Sequence, residues 1–94
     1  MESGQRIQRN EQAVFRELAE GEGGVLLHLE SGAYHGLNPI GTVIWGLVGD
    51  GSTFGDLVEG VRSRLTDAPA ELVSDVAAFI EDLVERDLLI FSEE

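Results

Sequence analysis

Between Gln12 and Leu37 the apolar and polar positions alternate in short runs instead of helical steps: QAVFREL, then VLLHLE, then AYHGL. Runs of this kind predict strands, with GEGG (21–24) and Ser31-Gly32 as the turns between them. Three strands so closely joined predict an antiparallel meander with VLLHLE in the middle and QAVFREL as a half-buried edge.

The period changes at Asn38. Asn38 followed by Pro39 is a helix N-cap with Pro at the first helical position, and Ile40, Val43, Ile44, Leu47 and Val48 recur at helical spacing until GDG (49–51). Thr53 with Asp56 three residues on resembles a capping box with Asp in place of Glu. Phe54, Leu57, Val58, Val61 and Leu65 then give a second helix its apolar face, which Gly55 and Gly60 weaken. After the break TDAP (66–69), a third helix is predicted from Ala70 to Arg86. Its apolar band is wider than one buried face requires and resolves into two stripes, Leu72/Val76/Phe79/Leu83 and Val73/Ala77/Ile80/Val84. LLIF (88–91) closes the chain as a short strand or a docked tail. Residues 1–11 are polar and aperiodic, so they are expected to be disordered, with residues 12–94 as one domain. The predicted class is α+β, a three-stranded antiparallel meander followed by three helices.

Charge sharpens this picture. Eighteen acidic residues oppose six basic ones, all Arg, for a net charge of −12 on 94 residues. Such a body repels phosphate, which argues against nucleic-acid binding. No apolar run approaches the roughly 20 residues of a membrane span, and the N-terminus lacks a signal-peptide core, so a cytoplasmic protein without membrane contact is expected. The absence of cysteine removes disulfides, thiolate metal sites and thiol nucleophiles.

Candidate catalytic chemistry is thin. A two-residue Ser31-Gly32 loop would set His28 opposite His35, half of a zinc site that Glu30 would have to complete; a three-residue loop would pair His28 with Tyr34 and part the two imidazoles onto opposite faces. Metal binding is not expected. The acids of the third helix punctuate a polar face, no serine sits in a nucleophile elbow, and the glycines form no phosphate loop. Neither catalytic residues nor a cofactor is expected. The third strand is the distinctive feature: as the outer strand of a meander it leaves one row of amide and carbonyl groups unpaired, and no charge lies between Ala33 and Leu37 to protect it. An uncharged edge beside a helix with a second apolar stripe is the combination used when a peptide joins a sheet as an extra strand. Self-pairing of two copies is the competing use.

These residues carry a resemblance. VLLHLESGAYHGLNPIGTVIWGLV, DGSTFGDLVEGV and ELVSDVAAFIEDLVERDLL together resemble the PqqD-like family, the recognition elements for precursors of ribosomally made, modified peptides. The telling pieces are Leu37-Asn38 leading into a helix with Ile44-Trp45, Asp50-Gly51 with Thr53, and Asp75-Val76 with Phe79-Ile80 and Leu83. The resemblance implies a winged helix-turn-helix-like fold that binds no DNA. It also implies binding of a precursor's leader segment as an added strand, in a groove closed by the third helix. Carried to this chain, the peptide-binding residues would be Ala33, Tyr34, His35, Gly36 and Leu37 on the strand, with Leu72, Val73, Asp75, Val76, Ala77, Ile80, Glu81 and Leu83 on the helix. Apolar leader side chains are expected beside Val73, Ala77 and Ile80, and Asp75 and Glu81 at the rim. The size and acidity are similar to those of stand-alone leader-binding proteins of lasso peptide pathways, whose partners are a leader protease and an ATP-dependent cyclase. Assembly of pyrroloquinoline quinone, with a radical enzyme as partner, is the close rival. Where many relatives carry Gly after the third helix, this chain has Asp87.

Overall fold

The computed structural model describes residues 5–18, 22–49, 51–65, 67 and 69–92. Among the described residues six strands and three helices follow in the order β1 (Arg6–Arg9), β2 (Ala13–Glu17), β3 (Gly24–His28), β4 (Tyr34–Leu37), α1 (Pro39–Val48), β5 (Ser52–Thr53), α2 (Phe54–Ser63), α3 (Leu72–Glu85) and β6 (Leu89–Ser92). The class is α+β, but the strands form two antiparallel three-stranded sheets, β2–β3–β4 and β5–β1–β6, where one meander was expected.

In the meander, Phe15 lies opposite Leu26 and Leu26 opposite His35. Strand alternation therefore turns Phe15, Leu26, His28, His35 and Leu37 toward the helices and Val14, Val25, Leu27 and Tyr34 outward. Leu26 and Leu37 join the core, where Ile44, Trp45, Leu57, Ile80 and Leu83 are also buried. Gly23, at φ 90°, lies so close to strand β4 that a Cβ would collide with the Leu37 carbonyl oxygen, so a side chain there would push the strands apart. Gly21 of the expected GEGG turn, and Thr66 and Ala68 of TDAP, lie outside the described residues.

Both predicted caps form. Asn38 Oδ1 accepts from the Gly41 amide at 2.7 Å, and Thr53 Oγ1 from the Asp56 amide at 3.2 Å, each satisfying an amide that its helix leaves open. Helix α3 ends differently from a glycine-capped helix of the same shape. The Leu88 amide donates to the Leu83 carbonyl and the Asp87 amide to the Val84 carbonyl, a Schellman closure that requires a left-handed residue, and Asp87 occupies it at φ 62°.

The expectation of disorder does not hold for Arg6–Arg9. This segment is the central strand of the second sheet, paired with β5 on one side and β6 on the other, and Ile7 is fully buried. RIQR contains a single apolar residue, too few to reveal a period; partners some 45 and 80 residues away in sequence make it a strand. Arg9 reinforces the docking. Its guanidinium donates to the Trp45 carbonyl at 2.7 and 3.2 Å and lies 4.9 Å from the centre of a Trp45 ring.

Candidate functional site

Strand β4 is the outer strand of its sheet, and its hydrogen-bond register decides which groups face outward. Leu29–Gly32 form a four-residue loop closed by Gly32 at φ 77°: the Gly32 amide donates to the His28 carbonyl at 2.7 Å, and the His28 amide to the Ala33 carbonyl at 2.9 Å. This is a glycine bulge, and it makes His28 and Ala33 a hydrogen-bonded pair. Alternation along the antiparallel ladder then directs the backbone groups of His35 and Leu37 toward β3. Those of Tyr34 and Gly36, opposite Leu27 and Val25, point to the free edge. An incoming strand thus meets two amides and two carbonyls set two residues apart. Gly36 is exposed, and a Cβ there would meet nothing within 4 Å. The opposite edge strand, β2, carries Arg16 and Glu17, whereas β4 carries no formal charge apart from what His35 can gain.

The loop also revises both expectations for the histidines. His28 and His35 share the inner face as diagonal neighbours, and each meets an acid from the end of α3. His28, 5% exposed, accepts the Glu30 and Ser31 amides at Nδ1, so its proton sits on Nε2, which donates to Asp87 Oδ2 at 3.0 Å. Both ring nitrogens are therefore committed to holding the loop and the helix end. Asp87 explains its own departure from glycine: the left-handed backbone costs an aspartate about 1 kcal/mol, and its carboxylate in return partners a buried donor. Its carbonyl further accepts from Asn10 Nδ2 at 2.7 Å, tying the β1–β2 turn to the same corner. His35 Nε2 lies 3.7 Å from Asp82 Oδ2, and Asp82 also receives Arg86 Nε at 3.1 Å. Among the described residues no group of three or more His, Asp or Glu side chains is arranged to hold a metal ion.

Along α3, Leu72, Val76, Ile80 and Leu83 form the buried stripe. The flank turned to β4 and α1 is Asp75, Phe79, Asp82 and Arg86, at steps of four, three and four. Phe79 packs so tightly on the first turn of α1 that a Cβ on Gly41 would lie 2.9 Å from its ring. Beside it a cavity of about 400 Å³ opens, with Ile40, Ile44, Leu72, Val76 and Phe79 as apolar walls and Asp75 at its rim. A separate, smaller hollow of about 170 Å³ lies between Tyr34, His35 and Arg86. Both hollows border the Asp75, Phe79, Asp82 and Arg86 flank of α3: the first opens beside Asp75 and Phe79, the second beside Arg86 and the Tyr34 end of β4.

The structure brings together only part of the residue set expected from sequence. Tyr34 and Gly36 form the edge, His35 the groove wall, and Asp75 the rim; Ala33 is exposed at the bulge and Leu37 is buried. Leu72 and Val76 are buried but line the cavity. Ile80 and Leu83 are completely buried in the core and have no surface to offer. Val73 and Ala77 fall on the flank of α3 away from β4, and Glu81 points to solvent opposite the core. The sequence reading divided the helix into two stripes and drew candidate residues from both; the flank that meets β4, Asp75, Phe79, Asp82 and Arg86, shares only Asp75 with that set. Stepping from Asp75 by four and three reaches Phe79, Asp82 and Arg86; that arithmetic, with Ile40 from the Pro-opened turn, was the available signal.

Residues 23–89 match the family model described as coenzyme PQQ synthesis protein D (PqqD). No curated protein matches the chain. A solved structure described as TbiB1 in complex with the TbiA(beta) leader peptide has the same fold, with a TM-score of 0.75, 22% sequence identity, and coverage of 93% of this chain and 99% of that one.

Proposed function

Since the chain belongs to the PqqD family, with most of its length inside the family match, we propose that it is a non-catalytic binder of the leader segment of a ribosomally made precursor peptide. The leader joins the meander as a fourth strand, hydrogen-bonded to the outward amides and carbonyls of Tyr34 and Gly36. Its inward side chains lie alternately over the hollow at His35 and Arg86 and over the apolar cavity at Ile40 and Phe79. The observation that carries this reading is the uncharged free edge of β4 beside the Phe79, Asp82 and Arg86 flank of α3, with a hollow at each end of that flank. The leader peptide in the described TbiB1 structure supports it.

In this role the protein works by position. It presents the precursor to separate enzymes, a leader protease and an ATP-dependent cyclase as in lasso peptide assembly. Backbone pairing supplies affinity with little sequence demand, and the groove supplies selectivity: an apolar residue toward the Leu37 end and a polar one toward Arg86.

An amide NMR titration with the leader half of the cognate precursor tests the proposal. The expected shifts fall on Tyr34 to Leu37, on Ile40 and Gly41, and on Phe79, Asp82 and Arg86. Shifts confined to β2 or β6, or none at high micromolar peptide, would overturn it.

A further inference from the structure

The buried imidazole of His28 is bonded on both sides, to the loop that shapes the free edge and to the end of α3. Nδ1 accepts the amides of Glu30 and Ser31, both at 3.2 Å, inside the loop whose bulge makes His28 and Ala33 a hydrogen-bonded pair. That pairing is what turns the amides and carbonyls of Tyr34 and Gly36 outward. Nε2 reaches the other way and donates to Asp87 at 3.0 Å, one residue beyond Arg86. The ring itself lines the hollow between Ala33, Tyr34 and His35 on one side and Arg86 and Leu88 on the other.

Little else that is polar crosses this hollow. Among the described residues, the other polar link from the strands of the meander to the end of α3 is His35 Nε2 with Asp82 Oδ2 at 3.7 Å, beyond hydrogen-bond distance. Asp82 is in addition engaged by Arg86 at 3.1 Å. Asn10 holds the same corner from the β1–β2 turn, but it does so through the backbone carbonyls of Asp87 and Leu88, which any residue at position 87 would leave in place. His28–Asp87 is thus the side-chain bond that fixes how far the end of α3 stands from the Tyr34 end of β4. It depends on the residue at position 87. Glycine would close the helix with less backbone strain and leave the buried imidazole donor without its acceptor.

Resting on the leader-binding reading, we propose that the His28–Asp87 bond is a clasp for leader capture, which sets the edge of β4 and the end of α3 at the bound spacing before the peptide arrives. His28 and Asp87 are positioning residues that act through Tyr34 and Arg86. A leader strand that meets these side chains already in place loses less binding free energy to ordering them, about two- to tenfold in affinity for each side chain so held. The effect is local to the Tyr34 end of β4. The apolar cavity at Ile40 and Phe79, walled by α1 and the first half of α3, does not depend on the clasp.

The test compares Asp, Asn and Gly at position 87 of the full chain, all three compatible with a left-handed backbone. Asp87→Asn keeps an acceptor for the His28 donor and drops the charge; Asp87→Gly drops both. The probe is the fluorescently labelled leader half of the cognate precursor. Its Kd by anisotropy should rise about fivefold or more in Asp87→Gly and stay within about twofold of wild type in Asp87→Asn, with circular dichroism showing each variant folded. Leaders substituted with alanine supply the readout specific to positioning. The leader residue with nuclear Overhauser contacts to Tyr34 should contribute less to affinity in Asp87→Gly than in wild type, and the residue beside Ile40 should contribute equally in both. Wild-type affinity in a folded Asp87→Gly protein would overturn the inference and leave leader binding intact. Equal losses in the Asn and Gly variants would overturn it by assigning the effect to the charge of the carboxylate. A loss spread evenly over all leader positions would overturn it in favour of general stability. A wild-type protein that binds no leader would instead remove the reading beneath it.

Discussion

Replacing Gly36 by proline isolates the backbone contribution to peptide capture. Its amide points away from β3, so the substitution removes no bond of the ladder; proline is tolerated on edge strands for this reason. Gly36 is not among the positive-φ glycines, and there is open space where the new ring would begin. Stability should change by less than about 1 kcal/mol. In the complex, however, one leader carbonyl loses its donor and stays buried against the edge. Leaving that carbonyl buried and unpaired costs about 1 to 3 kcal/mol, or roughly 5- to 150-fold in Kd. Fluorescence anisotropy of a labelled leader, alongside urea denaturation, measures both quantities. Gly36→Ala keeps the amide and should bind within about twofold of wild type. His35→Pro, one residue earlier, removes an amide that faces β3 and should unfold the sheet. Wild-type affinity in a folded Gly36→Pro protein would refute strand addition at β4. An equal loss in Gly36→Ala would refute the hydrogen-bond account and point to crowding on the outer face.

Two exposed apolar residues separate the flanks of α3: Ile40→Asp, in the groove, should weaken leader binding by about tenfold or more, whereas Val73→Asp, on the far flank, should leave the Kd unchanged by anisotropy. At the helix end, Asp87→Ala loses the His28 partner and keeps the left-handed strain, whereas Asp87→Gly loses only the partner. Chemical denaturation should place the Gly variant about 1 kcal/mol above the Ala variant. Ile7→Ala should cost about 2 to 4 kcal/mol in the same assay, since Ile7 is fully buried at the centre of the second sheet; a neutral result would mean that β1 contributes nothing to the fold.

Local signals in the chain determined the three helices, their caps at Asn38 and Thr53, the meander of β2, β3 and β4, and the uncharged edge. Each of these depends on residues within one turn or one alternation of each other, so periodicity and capping chemistry suffice to read them. Tertiary structure alone decided the rest. Strand β1 exists because Ile90 and Ser52 reach it from far along the chain, and four residues with one apolar position carry no such information. The flank of α3 that closes the groove follows from helix packing against α1. Two adjoining stripes of similar hydrophobicity leave that choice open; the fold buries a member of each, Ile80 and Leu83, and turns Phe79, Asp82 and Arg86 toward α1 and β4. The left-handed Asp87 is the sharpest case. In sequence it is a departure from glycine, and only the fold brings His28, 59 residues away, to the carboxylate that makes an aspartate worth its strain there.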